Sequence, residues 1–454
     1  MTYKYCVFLK KNPFFCISLP SKKKTVYMKQ EHITFKVVST LIFLMMFISA
    51  GAQEVFRTEV YRDDIKSLEI KVLGELISSP YIELNGENPL EITFDALHRS
   101  SGRFAYSIYH CNADWKKSDL IPIEYMRGFQ DVAIEDFANS ISTTTHYTNY
   151  KLLFPNEDTQ PTISGNYAVQ VYEEDTPDKI VFTACFSIVE TLIEIDASVS
   201  GNTDIDFNKE HQQVEFTINK KDLVITYPQT DLKIFVNQNN NLNDVRTNLQ
   251  PMSITNRHLQ YRHNRDLIFE AGNEYRRIEF LTHRYEGMGV EEIGFYNPYY
   301  HITLTQERIR ANRAYLYDQD QNGRFFVRCS GCEDPDTEGD YYIVHFSLSS
   351  EFLADGDVHI FGDLFNNNIN NKSLMKYNPE AGAYEKSVML KTGNYNYQYL
   401  FLENGETKAT SRITEGNFFE TENEYNIAVY FRPMGTRYDR LIGVRNINNN
   451  SLKR

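Results

Sequence analysis

Residues 103–111 read Arg-Phe-Ala-Tyr-Ser-Ile-Tyr-His-Cys. In an extended chain Phe104, Tyr106, Ile108 and His110 share one face, and Ala105, Ser107, Tyr109 and Cys111 share the other. Period-two alternation in aromatic and β-branched residues is the signal of a β-strand. The same pattern repeats on both sides of this stretch. SLEIKVLG (67–74), PLEITFDAL (89–97), NYKLLF (149–154), GNYAVQVY (165–172) and KIVFTACFSIVE (179–190) are short runs separated by turn residues. This spacing suits an antiparallel sandwich.

Further out, residues 191–310 contain QVEFTINKKDL, DLKIFVNQN and YYHITLTQER, with the Asn-rich QNNNLND (238–244) and Glu286-Gly287-Met288-Gly289 as loops. Residues 311–435 contain DYYIVHFSL, DVHIFGDL, AYEKSVMLKTG, YNYQYLFLENG and EYNIAVYFRP. No helical period of 3.6 is sustained anywhere. A chain of 454 residues exceeds what one core covers, at roughly 100–200 residues per domain. The sequence therefore predicts an all-β protein of tandem sandwiches at 53–190, 191–310 and 311–435. Residues 436–454 are expected to be a strand remnant and a disordered tail.

Residues 37–48, VVSTLIFLMMFI, form an apolar run too short to span a bilayer, with Lys29 and Lys36 before it and Ser49-Ala50-Gly51-Ala52 after it. A basic start, a short apolar core and small residues at the end make a secretory signal peptide. Residues 1–52 thus read as leader and signal, Met28 being a sufficient start, and the mature chain is expected to begin at Gln53 in the periplasm. Removing the leader takes away eight lysines and Glu31, leaving 39 basic against 60 acidic residues, a charge of −21. So acidic a chain has no electrostatic affinity for nucleic acid or anionic lipid. No membrane-spanning segment is expected in the mature chain.

Of six cysteines, Cys111, Cys185, Cys329 and Cys332 remain after cleavage, in a compartment where pairing is the default. Cys329-Ser330-Gly331-Cys332 has no strand–helix unit around it and no second CxxC, so it reads as a local structural disulfide rather than a redox or zinc site. Whether Cys111 and Cys185 pair stays open.

Chemistry-bearing motifs are scarce. Asp318-Gln319-Asp320-Gln321-Asn322-Gly323 matches the first half of a calcium loop, but Cys329 stands where the bidentate Glu belongs. The downstream carboxylates Asp334, Asp336, Glu338 and Asp340 leave a loop-bound calcium as one reading; the other is a hydrated hairpin turn built on Asn-Gly. There is no Gly-x-Ser-x-Gly, no His-Glu-x-x-His and no phosphate-binding loop. No enzyme and no cofactor is expected.

Three groups of residues carry a resemblance. They are Tyr106 to Trp115 (YSIYHCNADW), Gly272 to Arg276 (GNEYR), and a C-terminal set: Gly382 to Glu385 (GAYE), Leu390 to Tyr397 (LKTGNYNY), Glu415-Gly416-Asn417 and Arg437 to Leu441 (RYDRL). Together they resemble the plug protein family of the type IX secretion system. The resemblance implies a non-enzymatic periplasmic protein that binds and occludes the periplasmic opening of an outer-membrane translocon barrel. It carries over no catalytic residue. Ser164-Gly165-Asn166-Tyr167 resembles the tyrosine-corner region of immunoglobulin-like sandwiches. Val358 to Leu364 (VHIFGDL) resembles a strand of the early-set sandwiches that often carry starch or glycogen. A secreted or periplasmic carbohydrate-binding or carbohydrate-processing protein is therefore the alternative reading, with Tyr395, Tyr397 and Tyr399 either replacing the missing tryptophan or forming one face of a core strand.

A plug must be displaceable, which favours an ordinary interface with aromatic anchors and a polar rim, shown on loops at the ends of sandwiches. The expected contacts are Phe295, Tyr296, Tyr299 and Tyr300, and the region of Trp115. Each also reads as a hairpin or core anchor.

Overall fold

Alternating strands bury one face only when a second sheet covers it, and the chain does this three times. The computed structural model describes residues 55–97 and 102–449. The expected signal segment, 37–48, and the expected cleavage after Ala52 lie outside the described residues. The described chain is all-β, with three α-helical pieces of four residues each and two 3-10 turns of three.

In the first sandwich one sheet orders Ile65–Val72, Leu90–Leu97, Tyr147–Phe154 and Asp136–Asn139. The facing sheet orders Glu59–Val60, Ile180–Val189, Gly165–Glu173, Phe104–Cys111 and Val132–Ala133. Phe104, Tyr106 and Ile108 point into the core shared with Ile92, Phe94, Val169 and Phe182, as their alternation requires. Tyr167 closes a tyrosine corner, its hydroxyl donating to the Ile163 carbonyl at 2.7 Å. Gly165, two residues earlier, makes room for the buried His110 ring. Its φ is +142°, and a Cβ there would lie 2.4 Å from His110 Nε2.

The second and third sandwiches depart from the expected limits at 310 and 435. Leu232–Gln238 pairs with Glu424–Phe431, which pairs with Arg440–Asn448. This three-stranded sheet covers the one built on Glu194–Ser200 and His211–Asn219. The second sandwich is thus completed by the C-terminal strands, and residues 440–448 form a strand with Leu441 and Ile442 buried rather than a remnant. Conversely, Arg276–Phe280 pairs with Gly393–Glu403 and belongs to the third sandwich. So do Val290–Tyr296 and Tyr299–Leu304, which join Tyr341–Ser349 and Ala383–Lys391 in one sheet. Cores are assembled by pairing in space, and a strand without a local partner takes a distant one.

Two small apolar clusters join the sandwiches: Ala113 and Val189 meet Tyr430 and Leu441, and Leu97 and Tyr147 meet Tyr341. Beside the second of these, the fully buried Asp95 accepts hydrogen bonds from Lys391 Nζ at 2.7 Å, Tyr341 Oη at 2.6 Å and Asn149 Nδ2 at 2.8 Å. A buried carboxylate with three donors is a satisfied one.

Candidate functional site

The aromatic segment 295–300 is a hairpin with a two-residue turn, Asn297-Pro298. Tyr296 stands opposite Tyr299, and Phe295 opposite Tyr300. Because side chains alternate, the hairpin has two aromatic faces. On the inner face Phe295 packs on Tyr300, and Tyr300 stacks on His283 with ring centroids 4.6 Å apart. On the outer face Tyr296 stands edge-on to His301 at 5.3 Å. Gly294 permits this, since a Cβ there would lie 2.8 Å from the Tyr296 ring. His301 Nδ1 lies 2.8 Å from His345 Nε2, and His345 Nδ1 lies 2.8 Å from Ser387 Oγ. Burial and the neighbouring His301 both lower the His345 pKa.

Val290–Tyr296 is the end strand of its sheet, so its outer edge is unpaired among the described strands. Phe295 and Tyr296 are 54% and 64% exposed. An open edge carrying large exposed aromatic rings is a surface that can receive another protein. The sequence pointed to these residues by composition; the contact of His301 with His345 had no signal in it, because the two are 44 positions apart and meet through parallel pairing of their strands.

Trp115 is elsewhere, in the first sandwich. It sits at φ +62° in the turn after Phe104–Cys111, and its carbonyl accepts from Phe56 N at 3.0 Å. The half-buried indole packs with Phe56, Cys111, Ala168 and Cys185. Trp115 and the hairpin therefore belong to separate surfaces.

Cys329 and Cys332 are bonded to each other, with Cα atoms 5.8 Å apart. Cys111 and Cys185 are buried free thiols. They stand opposite Asn166 and Ala168 on either side of the strand Gly165–Glu173. Two interstrand spacings, about 9–10 Å, exceed the roughly 7 Å reach of a disulfide.

The carboxylates of the calcium-like loop have protein partners. Asp318 accepts from Arg277 Nε at 3.0 Å, and Asp320 accepts from the Tyr275 and Asn322 amides. Burial pushes Asp320 up to about 6. Downstream, Asp334 caps the helix Pro335–Glu338, and Asp340 accepts from the Thr144 and Thr145 amides. The arrangement is that of a turn held by its own carboxylates. Tyr395, Tyr397 and Tyr399 are buried in the third core, and the last two donate to Glu307. They offer no stacking surface for a sugar.

The segments quoted for the family resemblance meet in space, at the joints between sandwiches. Ala113 N donates to Asp439 Oδ2 at 2.9 Å, joining the first to the last. Arg276 Nε donates to the fully buried Glu415 at 2.9 Å, which also accepts from Arg310 Nε at 2.7 Å. Lys391 reaches Asp95. These residues hold the molecule's architecture rather than a reaction centre.

The comparisons agree with that architecture. The family model described as the type 9 secretion system plug protein 1st domain matches residues 65–190, the first sandwich. The crystal structure of a hypothetical protein from Parabacteroides merdae ATCC 43184 is 59% identical, covers 87% of this chain and 100% of its own, and superposes with a TM-score of 0.87. The partial N-terminal region of an enterococcal surface protein, at 7% identity and a TM-score of 0.18, carries no argument. No curated protein matches the chain. Among the described residues no helix is long and apolar enough to cross a membrane. Residues 65–190, the first sandwich, thus match the first domain of the type 9 secretion system plug protein family.

Proposed function

We propose that this protein is a non-enzymatic periplasmic plug, which binds the outer-membrane translocon barrel of the type IX secretion system and occludes its periplasmic opening. The observation that carries the reading is the family match over residues 65–190. The signal segment at 37–48 supports secretion across the inner membrane, with the mature chain starting at Gln53. The contact surface proposed is the edge hairpin, where Phe295 and Tyr296 supply anchors and Glu291 and Glu292 a polar rim. A second contact is proposed around Trp115.

A deletion strain tests it. Loss of the gene is expected to make the outer membrane leaky to large, normally excluded antibiotics. Normal exclusion, in a deletion strain with unchanged translocon levels, refutes occlusion. Co-purification with the barrel from outer-membrane extract, weakened at least tenfold by the double change Phe295→Ser and Tyr296→Ser, tests the contact surface separately.

A further inference from the structure

The outer face of the sheet that carries the edge hairpin holds two half-buried histidines bonded to each other. His301, on Tyr299–Leu304, stands opposite Gly294, and His345, on Tyr341–Ser349, stands opposite Ser387. The 2.8 Å between His301 Nδ1 and His345 Nε2 is a hydrogen bond rather than a stacking contact. The ring planes lie within 16° and the centroids are 5.1 Å apart, as far as that nitrogen contact allows, so the rings meet end to end. One facing nitrogen donates and the other accepts, so one of the two must carry no hydrogen. Ser387 Oγ, 2.8 Å from His345 Nδ1, serves either tautomer, because a hydroxyl both donates and accepts.

One proton fits this pair, since an imidazolium can still donate to a neutral ring. Two do not. With both rings charged, two N–H groups and two like charges would face each other across the same contact. Nothing beside the pair offsets that. Among the described residues the histidine–carboxylate ion pairs are His211–Asp206 and His263–Asp204, both elsewhere. On the same face, Glu292 stands opposite Thr303, Glu385 opposite Ser347, and Lys376 opposite Glu385, with Tyr296 and Tyr299 at the hairpin end. Glu385 accepts from Asn378 Nδ2 at 3.0 Å, and Lys391 and Tyr341, at the far end, donate to Asp95. His283 lies behind the sheet, against Tyr300.

We propose that His301 and His345 form a proton-operated catch, in which a neutral or singly protonated pair holds Tyr296 and the edge hairpin as seen here, and a second proton parts the rings and releases a partner seated on the hairpin. Tyr296 follows because its ring stands edge-on to His301. Burial and His301 both lower the His345 pKa, so the catch is complete above about pH 6.5 and opens as the pH falls below that of an ordinary histidine. Release of the barrel rests on the translocon reading; the catch itself does not.

An NMR titration of the mature protein from pH 8 to pH 4.5 follows the His301, His345 and Tyr296 rings. The histidines are expected to titrate as one coupled pair, in steps about one pH unit or more apart, with the Tyr296 ring moving on the second. In His345→Gln, whose amide can bond to His301 without titrating, His301 should titrate once and Tyr296 should stay still. Two independent titrations, or a Tyr296 ring that ignores the second step, overturns the catch. Co-purification with the barrel at pH 7.5 and pH 5.0 reads the release. Capture should fall about tenfold or more on acidification for the wild type and stay nearly constant for His345→Gln; an equal fall in both overturns the release. No capture of either protein at pH 7.5 refutes the contact surface, and the titration still decides the catch.

Discussion

His110 shows how a residue read as one member of an alternating strand acquires a chemical state from its surroundings. Its Nε2–H donates to the Ser164 carbonyl at 3.3 Å, and Nδ1 accepts from Ser118 Oγ at 3.0 Å, so the neutral ring is fully paired. Burial pulls its pKa down to about 4. The unfolded chain takes up this proton near pH 6.5 and the folded chain does not, so the histidine's contribution to stability is complete above pH 6.5 and is lost as the pH falls toward 4. At about 1.4 kcal/mol per pH unit, the loss is roughly 3 kcal/mol. Denaturant titrations from pH 7 to pH 4 check it: the stability difference between wild type and His110→Gln should shrink across this window and stay constant above it. At the same scale, Cys329 and Cys332 are expected to resist alkylation until reduced, as mass mapping of non-reduced peptides will show. So small a loop contributes only about 2 kcal/mol.

At the scale of elements, what the sequence cannot announce is the joint. Asp95 and Lys391 are 296 positions apart, on strands of different sandwiches, and each is 1% exposed or less. Lys391→Met leaves the Asp95 carboxylate buried without its cation and is expected to cost about 3–5 kcal/mol in urea unfolding. Adding Asp95→Leu should recover most of that loss, because the apolar pair removes the desolvation penalty along with the attraction. If the double variant is no more stable than Lys391→Met alone, the pair is not what holds this joint. The edge hairpin is the opposite case. Its aromatic alternation is local, so both of its faces could be read from the sequence, and only the neighbours of each face came from the fold.

For the whole molecule, chain order and spatial order diverge. Leu232–Gln238 waits for Glu424–Phe431 before its sheet exists, a closure across about half of the folded chain. Such long-range pairing forms late, after loop closure has been offset by local contacts. A chain ending before Glu424 should therefore keep a protease-resistant first sandwich and lose protection across residues 193–270. Limited proteolysis with mass detection checks it. Retained protection of Leu232–Gln238 in the truncated chain would show that the C-terminal strands are dispensable to the second core.

The sequence by itself determined the strands, the all-β class and the local turns, because alternation and turn chemistry act over a few residues. Tyr395, Tyr397 and Tyr399 were legible as one face of a strand, and Asp318 to Gly323 as a turn. The tertiary structure alone decided which strands share a core, that Cys111 and Cys185 stand too far apart to pair, and that the family-like segments converge on the joints. Those outcomes depend on which surfaces meet once apolar faces are buried, and burial is indifferent to distance along the chain.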